Sequence, residues 1–150
     1  MPLRVSVQRG EGASSAGGRG ATGIVGRAAE AALVARGVHD AELSVTLLGD
    51  RAITALNAEW LRHDGPTDVI AFPLYEEGET PVGDVYIGVR QAGRQAGALG
   101  VPVSEELARL AIHGTLHVLG FDHPAGADRL RSPMWREQER ILASLNETWQ

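Results

Sequence analysis

The 150-residue sequence contains no cysteine, so neither a disulfide framework nor a thiolate zinc site can form. It has no run of about 18 apolar residues, which excludes an ordinary membrane-spanning helix. Residues 1–5 lack the charged-then-apolar order of a secretory signal, so we expect a cytoplasmic protein that does not engage the membrane. With cysteine absent, histidine clusters are the remaining candidates for binding a soft divalent metal.

Lysine is also absent, and all fourteen basic residues are arginines in a chain of net charge −5. An acidic protein is poorly suited to broad, sequence-independent binding of nucleic acid. Five of the arginines nevertheless fall within the first 39 residues, beside only two glutamates. The sequence therefore allows a locally basic face, and arginine is the better phosphate clamp.

Hydrophobic periodicity predicts four strands and five helices. The strands are predicted at 3–7, 41–48, 69–73 and 84–88, and the helices at 24–35, 50–61, 90–99, from 104 through the first two motif histidines, and 133–145. Asp50 and Ser104 are predicted N-caps, and residues 10–23 a flexible glycine-rich loop. This order predicts one α+β (α/β-like) domain over residues 1–150, with a small mixed four-stranded sheet covered by about five helices.

The most informative segment is residues 113–123, which read His-Gly-Thr-Leu-His-Val-Leu-Gly-Phe-Asp-His. His113 and His117 are four residues apart, so on a helix they share one face. Gly120 allows the chain to leave the helix in a left-handed conformation, which can bring His123 to the same point. Three neutral imidazoles around an open fourth position are the ligand set of a catalytic zinc site.

The same spacing occurs in the metzincin signature H-E-x-x-H-x-x-G-x-x-H, but Gly114 stands where those proteases keep their general base. A zinc ion held by three histidines lowers the pKa of its bound water to about 7 without a dedicated base. Phosphodiester cleavage is therefore feasible, whereas peptide hydrolysis also needs a proton shuttle to the leaving amine.

With these motifs in place, the chain resembles the YbeY family of metallo-endoribonucleases, which mature ribosomal RNA. The family signature H-G-x-L-H-L-x-G-x-D-H matches residues 113–123 with one leucine-to-valine change. The upstream patterns L-N-x-x-[YW] and D-x-P-T-D-V-[LI]-[SA]-F-P match residues 56–60 and 64–73. A Gly-Asp pair at 83–84 and Met134 also fit, so the resemblance covers roughly residues 40–145.

The resemblance implies a zinc-dependent, single-strand-specific endoribonuclease with one zinc ion per chain. It would act in 3′-end maturation of 16S ribosomal RNA and in ribosome quality control, with the small subunit as a partner. Two alternatives stay open: a metzincin-like metalloprotease-type hydrolase, and a ribosome-assembly binding factor whose metal site stabilises the fold.

One position departs from the family. Many members carry an arginine directly after the aromatic residue of L-N-x-x-[YW], where this chain has Leu61, with Arg62 one residue later. Arg62 is therefore a candidate catalytic residue, because a small shift of the chain would bring it to the place of the family's arginine. Asp68, after Thr67 in the Gly-Pro turn, is a second candidate, although such residues also satisfy turn amides.

Overall fold

The computed structural model describes residues 2–13, 18, 20–122, 132–147 and 149. Its elements are β1 (Leu3–Arg9), α1 (Ala21–Ala35), β2 (Ala41–Leu48), α2 (Asp50–Leu56), a π-helical segment (Asn57–Leu61), β3 (Val69–Pro73), β4 (Val82–Gly88), α3 (Val89–Leu99), α4 (Val103–Val118) and α5 (Pro133–Ser144). This order confirms the predicted α+β class. Two predicted elements differ most from the structure. Helix α1 begins at Ala21, so the last three residues of the predicted loop are helical, and residues 14–17 and 19 of that loop lie outside the described residues. The predicted helix 50–61 is α-helical only to Leu56 and π-helical over its last five residues.

The four strands form one mixed sheet in the order β1-β2-β4-β3. Strands β1, β2 and β4 are parallel, whereas β3 pairs antiparallel with β4 at one edge. Alternate residues on the central strands, such as Val45 and Val85, are fully buried. They form one core with the apolar faces of α1 and α4, while α2 covers a smaller cluster around Ile53 on the opposite face of the sheet.

Both predicted N-caps are wrong. Helix α2 is capped by Gly49, and Asp50, its first residue, instead forms an ion pair with Arg94 at 2.9 Å. The hydrogen bonds from Arg94 hold the pKa of Asp50 below its usual value. Helix α4 begins after Pro102, which places Ser104 inside its first turn. The Pro102 backbone is extended, with φ −62° and ψ 148°, and its ring holds φ at a value that suits the start of a helix.

None of the helices in the described ranges is both long and apolar enough to cross a bilayer.

Candidate active site

Helix α4 carries the first two histidines and is the most deeply packed helix at the site. Its apolar residues, including Leu107 and Leu116, are fully buried, so its rotation relative to the sheet is fixed. The helix ends at Val118, and Gly120 takes a positive φ of 98°, as predicted from the sequence. The Phe121 amide donates to the Leu116 carbonyl at 2.9 Å, which closes this C-terminal turn.

The imidazoles of His113 and His117 meet at one face of α4. Their ring centroids are 4.6 Å apart, and the two Nε2 atoms are separated by 3.1 Å. Two ring nitrogens this close share either a proton or a cation. Tetrahedral zinc with Zn–N bonds of about 2.05 Å places its ligand nitrogens about 3.3 Å apart. The pair therefore has the spacing of two ligands of one metal ion.

Gln138 on α5 orients the first of these rings. The His113 Nδ1 atom lies 2.6 Å from the Gln138 Oε1 atom, and the Gln138 amide nitrogen donates to Glu139 at 3.0 Å. Because a carboxylate only accepts, the amide nitrogen faces Glu139 and the amide oxygen faces His113. His113 must then carry its proton on Nδ1, so Nε2 is the ring nitrogen that can act as a metal ligand.

A partly buried ionic cluster fixes Glu139 in turn. The Arg109 guanidinium donates to Glu139 at 2.9 Å and to Glu106 at 2.6 Å, joining α4 to α5. Burial opposes the charge on Arg109, but the bonds to Glu139 and Glu106 outweigh it and raise the arginine pKa. Burial also raises the pKa of Glu106, despite the contact with Arg109. A chain of contacts thus runs from His113 through Gln138 and Glu139 to this cluster.

The third predicted ligand, His123, lies outside the described residues. Within the described ranges, no group of three or more histidine or acidic side chains is placed to hold a metal. The described part of the site supplies two imidazole nitrogens, a donor type that suits zinc.

Gly114 packs directly against the sheet. A Cβ atom at this position would lie 2.5 Å from the Cγ1 atom of Val85 and 3.1 Å from a methyl group of Val69. Gly83 has the matching role on β4, because its Cβ would lie 2.5 Å from Val118. The glycines let the histidine helix lie close to the strands, and position 114 has no room for a general base.

The two candidate residues outside the histidine motif are placed differently. Arg62 follows the π-helical segment in a left-handed conformation with a φ of 56°. Its side chain is exposed and makes no ion pair or hydrogen bond within the described residues. The Asp68 carboxylate accepts from the Val69 amide at 2.7 Å and from Gln95 at 3.1 Å. These bonds attach the start of β3 to α3, which is a structural use of Asp68.

The exposed and half-buried aromatic residues fall into separate groups. Trp60, Phe72 and Tyr86 form an edge-to-face row with centroid separations near 6 Å, on the sheet face opposite α4. The Tyr75 hydroxyl donates to the Val118 carbonyl at 2.7 Å and so holds the end of α4. Phe121 lies beneath the Arg36 guanidinium.

Gln138 is the site residue that the sequence analysis missed. It occupies the inward face of α5, with Met134 and Ile141 on the same face, and all three are buried. A single polar residue on an otherwise apolar helix face is the signal that would have indicated a buried polar partner.

The fold and this site define an α+β protein with a histidine pair matched to a divalent metal. A family model described as endoribonuclease YbeY matches residues 19–146. The chain belongs to the endoribonuclease YbeY family, a family of RNA-cleaving enzymes, which confirms the resemblance read from the motifs.

Individual relatives of the chain carry the same family name. The endoribonuclease YbeY of Pelotomaculum thermopropionicum is 38% identical over 99% of both chains. That of Thermus thermophilus is 42% identical over 83% of this chain and 91% of its own. A Thermotoga maritima protein of known solution structure superimposes with a TM-score of 0.61 at 27% identity, over 95% of this chain and 88% of its own.

Proposed function

We propose that this protein is a zinc-dependent endoribonuclease specific for single-stranded RNA. The observation that carries the proposal is the 3.1 Å approach of the two Nε2 atoms of His113 and His117, in a chain whose family is named for RNA cleavage. His123 is the proposed third ligand, on the basis of the sequence motif. A zinc ion bound here would supply Lewis acidity and a hydrolytic nucleophile at neutral pH.

The protein's own residues orient the proposed metal ligand His113. Gln138 fixes the His113 tautomer, and the Arg109 cluster holds Glu139, on which Gln138 depends. Gly114 contributes no base, so proton transfer to the leaving oxygen must involve another group. Arg62 is the favoured candidate for contact with the reacting phosphate because its side chain is exposed. Asp68 is the less favoured candidate, since its carboxylate already holds β3 to α3.

We propose ribosomal RNA as the substrate, with 3′-end maturation of 16S ribosomal RNA and ribosome quality control as the cellular roles. The proposed partner is the small ribosomal subunit and the proposed location is the cytoplasm. Family resemblance supports these roles.

The proposal is tested by digesting labelled single-stranded and double-stranded RNA with the purified protein. We expect cleavage of the single strand, its loss in a chelator, and its return when zinc is added. Bound metal is counted by elemental analysis, with one zinc ion expected per chain. A His113→Ala protein purified in parallel controls for contaminating nucleases. Equal cleavage by this variant, or full activity in the chelator, would refute the proposal.

Replacing Gln138 by methionine is expected to weaken zinc binding by about 10–100-fold, as is typical when a ligand loses its outer hydrogen bond. Methionine preserves the volume but removes the acceptor for the His113 Nδ1 proton. Zinc affinity is measured by competition with a chelating dye. In the metal-free protein, nitrogen NMR should show His113 changing from one tautomer to a mixture. Gln91→Met on α3 is the matched control, and an unchanged affinity in Gln138→Met would contradict the assigned role.

Replacing Arg62 by glutamine is expected to lower cleavage by about a hundredfold, the usual effect of removing a donor that stabilises transition-state charge. Thermal stability should stay unchanged because the side chain is exposed. Arg51→Gln, on the exposed face of α2, is the control. If Arg62→Gln cleaves RNA as fast as Arg51→Gln does, Arg62 has no catalytic role.

A further inference from the structure

A groove of about 490 Å³ lies between the C-terminal end of α1 and helix α5, beside the turn that follows the second histidine. It is lined by Arg36, Phe121, Pro133, Arg136, Glu137 and Arg140. Nothing in the proposed cleavage chemistry uses these residues. Three of the six lining residues are arginines, although the chain as a whole is acidic.

The groove concentrates positive charge. Three guanidinium groups face one carboxylate, whereas the chain carries a net charge of −5. Glu137 accepts from Arg36 at 2.6 Å and from Arg140 at 2.6 Å. Burial alone would raise the pKa of Glu137, but these two arginines lower it, so the carboxylate stays ionised. Arg136 makes no ion pair within the described residues, so its charge is available to a ligand.

The groove also has an aromatic wall. The Arg36 guanidinium carbon lies 4.6 Å from the centroid of the Phe121 ring, in a cation–π contact. Flat groups of this kind are the surfaces on which single-stranded bases stack.

The two walls of the groove lie on elements that also carry the histidine site. Phe121 lies within the motif, between His117 and His123, and its amide closes the end of α4. On α5, Glu137 lines the groove while the adjacent Gln138 contacts His113. The groove and the histidine pair therefore share two segments of the chain, the end of α4 with its following turn and helix α5.

We infer that this groove binds the phosphate backbone of single-stranded RNA next to the cleaved bond, an inference that rests on the proposed function. Arg136 and Arg140 are one helical turn apart, about 6 Å along α5, so both guanidiniums can contact one run of phosphates. The Arg36 guanidinium, held over the Phe121 ring, provides the flat surface for a base. Charge complementarity selects a polyanion, and the aromatic wall favours a polyanion with exposed bases.

The test measures binding of a labelled oligouridylate by fluorescence anisotropy at several salt concentrations, with a chelator present so that no cleavage is expected. The groove variant is Arg136→Gln/Arg140→Gln. The matched control, Arg51→Gln/Arg90→Gln, removes the same charge from exposed positions on α2 and α3. With about 0.7 counterions released per phosphate contact, the groove variant should lose about 10–30-fold in affinity at 0.1 M salt, and its salt slope should fall by about 1.4.

The single variant Arg136→Gln leaves both ion pairs of Glu137 intact, so it serves if the double variant folds poorly. Arg136→Gln should bind the oligouridylate about fivefold more weakly than the wild type at 0.1 M salt. Equal affinity and salt slope in the groove and control variants would overturn the inference.

A cleavage assay separates this inference from the proposed function. If the wild type binds the oligouridylate through the groove but cuts no RNA, the proposed function fails and the groove assignment stands. If the wild type cuts RNA and the groove variant matches the control in both binding and cleavage, the groove assignment fails alone.

Discussion

Replacing His117 by alanine is expected to reduce RNA cleavage to the level seen in a chelator. The His117 Nε2 atom is one of the two nitrogens that approach within 3.1 Å, so its removal leaves at most two of the three proposed ligands. A zinc site with two protein ligands binds weakly and no longer fixes the open position used in catalysis. Gel assays with a labelled single strand measure the loss, and elemental analysis measures the bound zinc.

The same variant separates an enzyme from a binding factor with a structural metal. His117 is only half-buried, and the core beneath α4 is apolar, so we expect the melting temperature of the metal-free protein to be unchanged. His39→Ala, on the exposed chain before β2, is the matched control and should retain full cleavage. Unfolding of wild type in a chelator would favour the structural role. Retained cleavage by His117→Ala would refute the metal site.

Replacing Gly114 by glutamate, which completes the protease-type H-E-x-x-H motif, is expected to unfold the protein and not to create a protease. The first added carbon would already lie 2.5 Å from the fully buried Val85. A carboxylate that cannot reach water at this position costs several kcal/mol without a partner. Since a domain of this kind is stable by about 5–15 kcal/mol, we expect little or no folded protein. Circular dichroism measures the loss of folded structure, and denaturant titration measures the loss in the free energy of unfolding.

Gly114→Ala isolates the steric part of this effect. Overpacking is expected to cost about 1–3 kcal/mol, partly offset by about 1 kcal/mol of improved helix propensity. Gly97→Ala in α3 is the matched control, because a Cβ there meets nothing within 4 Å. That control should gain up to about 1 kcal/mol in the free energy of unfolding. A stable, soluble Gly114→Glu protein would show that α4 can move away from the sheet.

This geometry gives a structural reason against the metalloprotease alternative. From sequence, Gly114 indicated only that a general base was absent. In the structure the position faces Val69 and Val85, so the close packing of α4 on β3 and β4 requires a residue without a side chain. Proteolysis would need a base from elsewhere in the site.

The limits of β2 and β3 could be predicted, because β2 alternates apolar and polar residues before two final leucines and β3 is a short apolar run ended by proline. The helix starts were less predictable. Asp50 and Ser104 have the chemistry of N-caps, but Asp50 pairs with Arg94 on another helix and Pro102 already sets the start of α4. The π-helical segment before Arg62 was missed because helical periodicity does not distinguish it from an ordinary helix.

The fold class, the family and the face shared by His113 and His117 could be predicted from the sequence, since each depends on local spacing along the chain. The contacts of Gln138 with His113 and of Gly114 with Val85, and the grouping of Arg36 with Arg136 and Arg140, became visible only in the folded protein. These contacts join residues on different elements. Their partners are decided by how the helices pack on the sheet, and no periodicity along the chain records that packing.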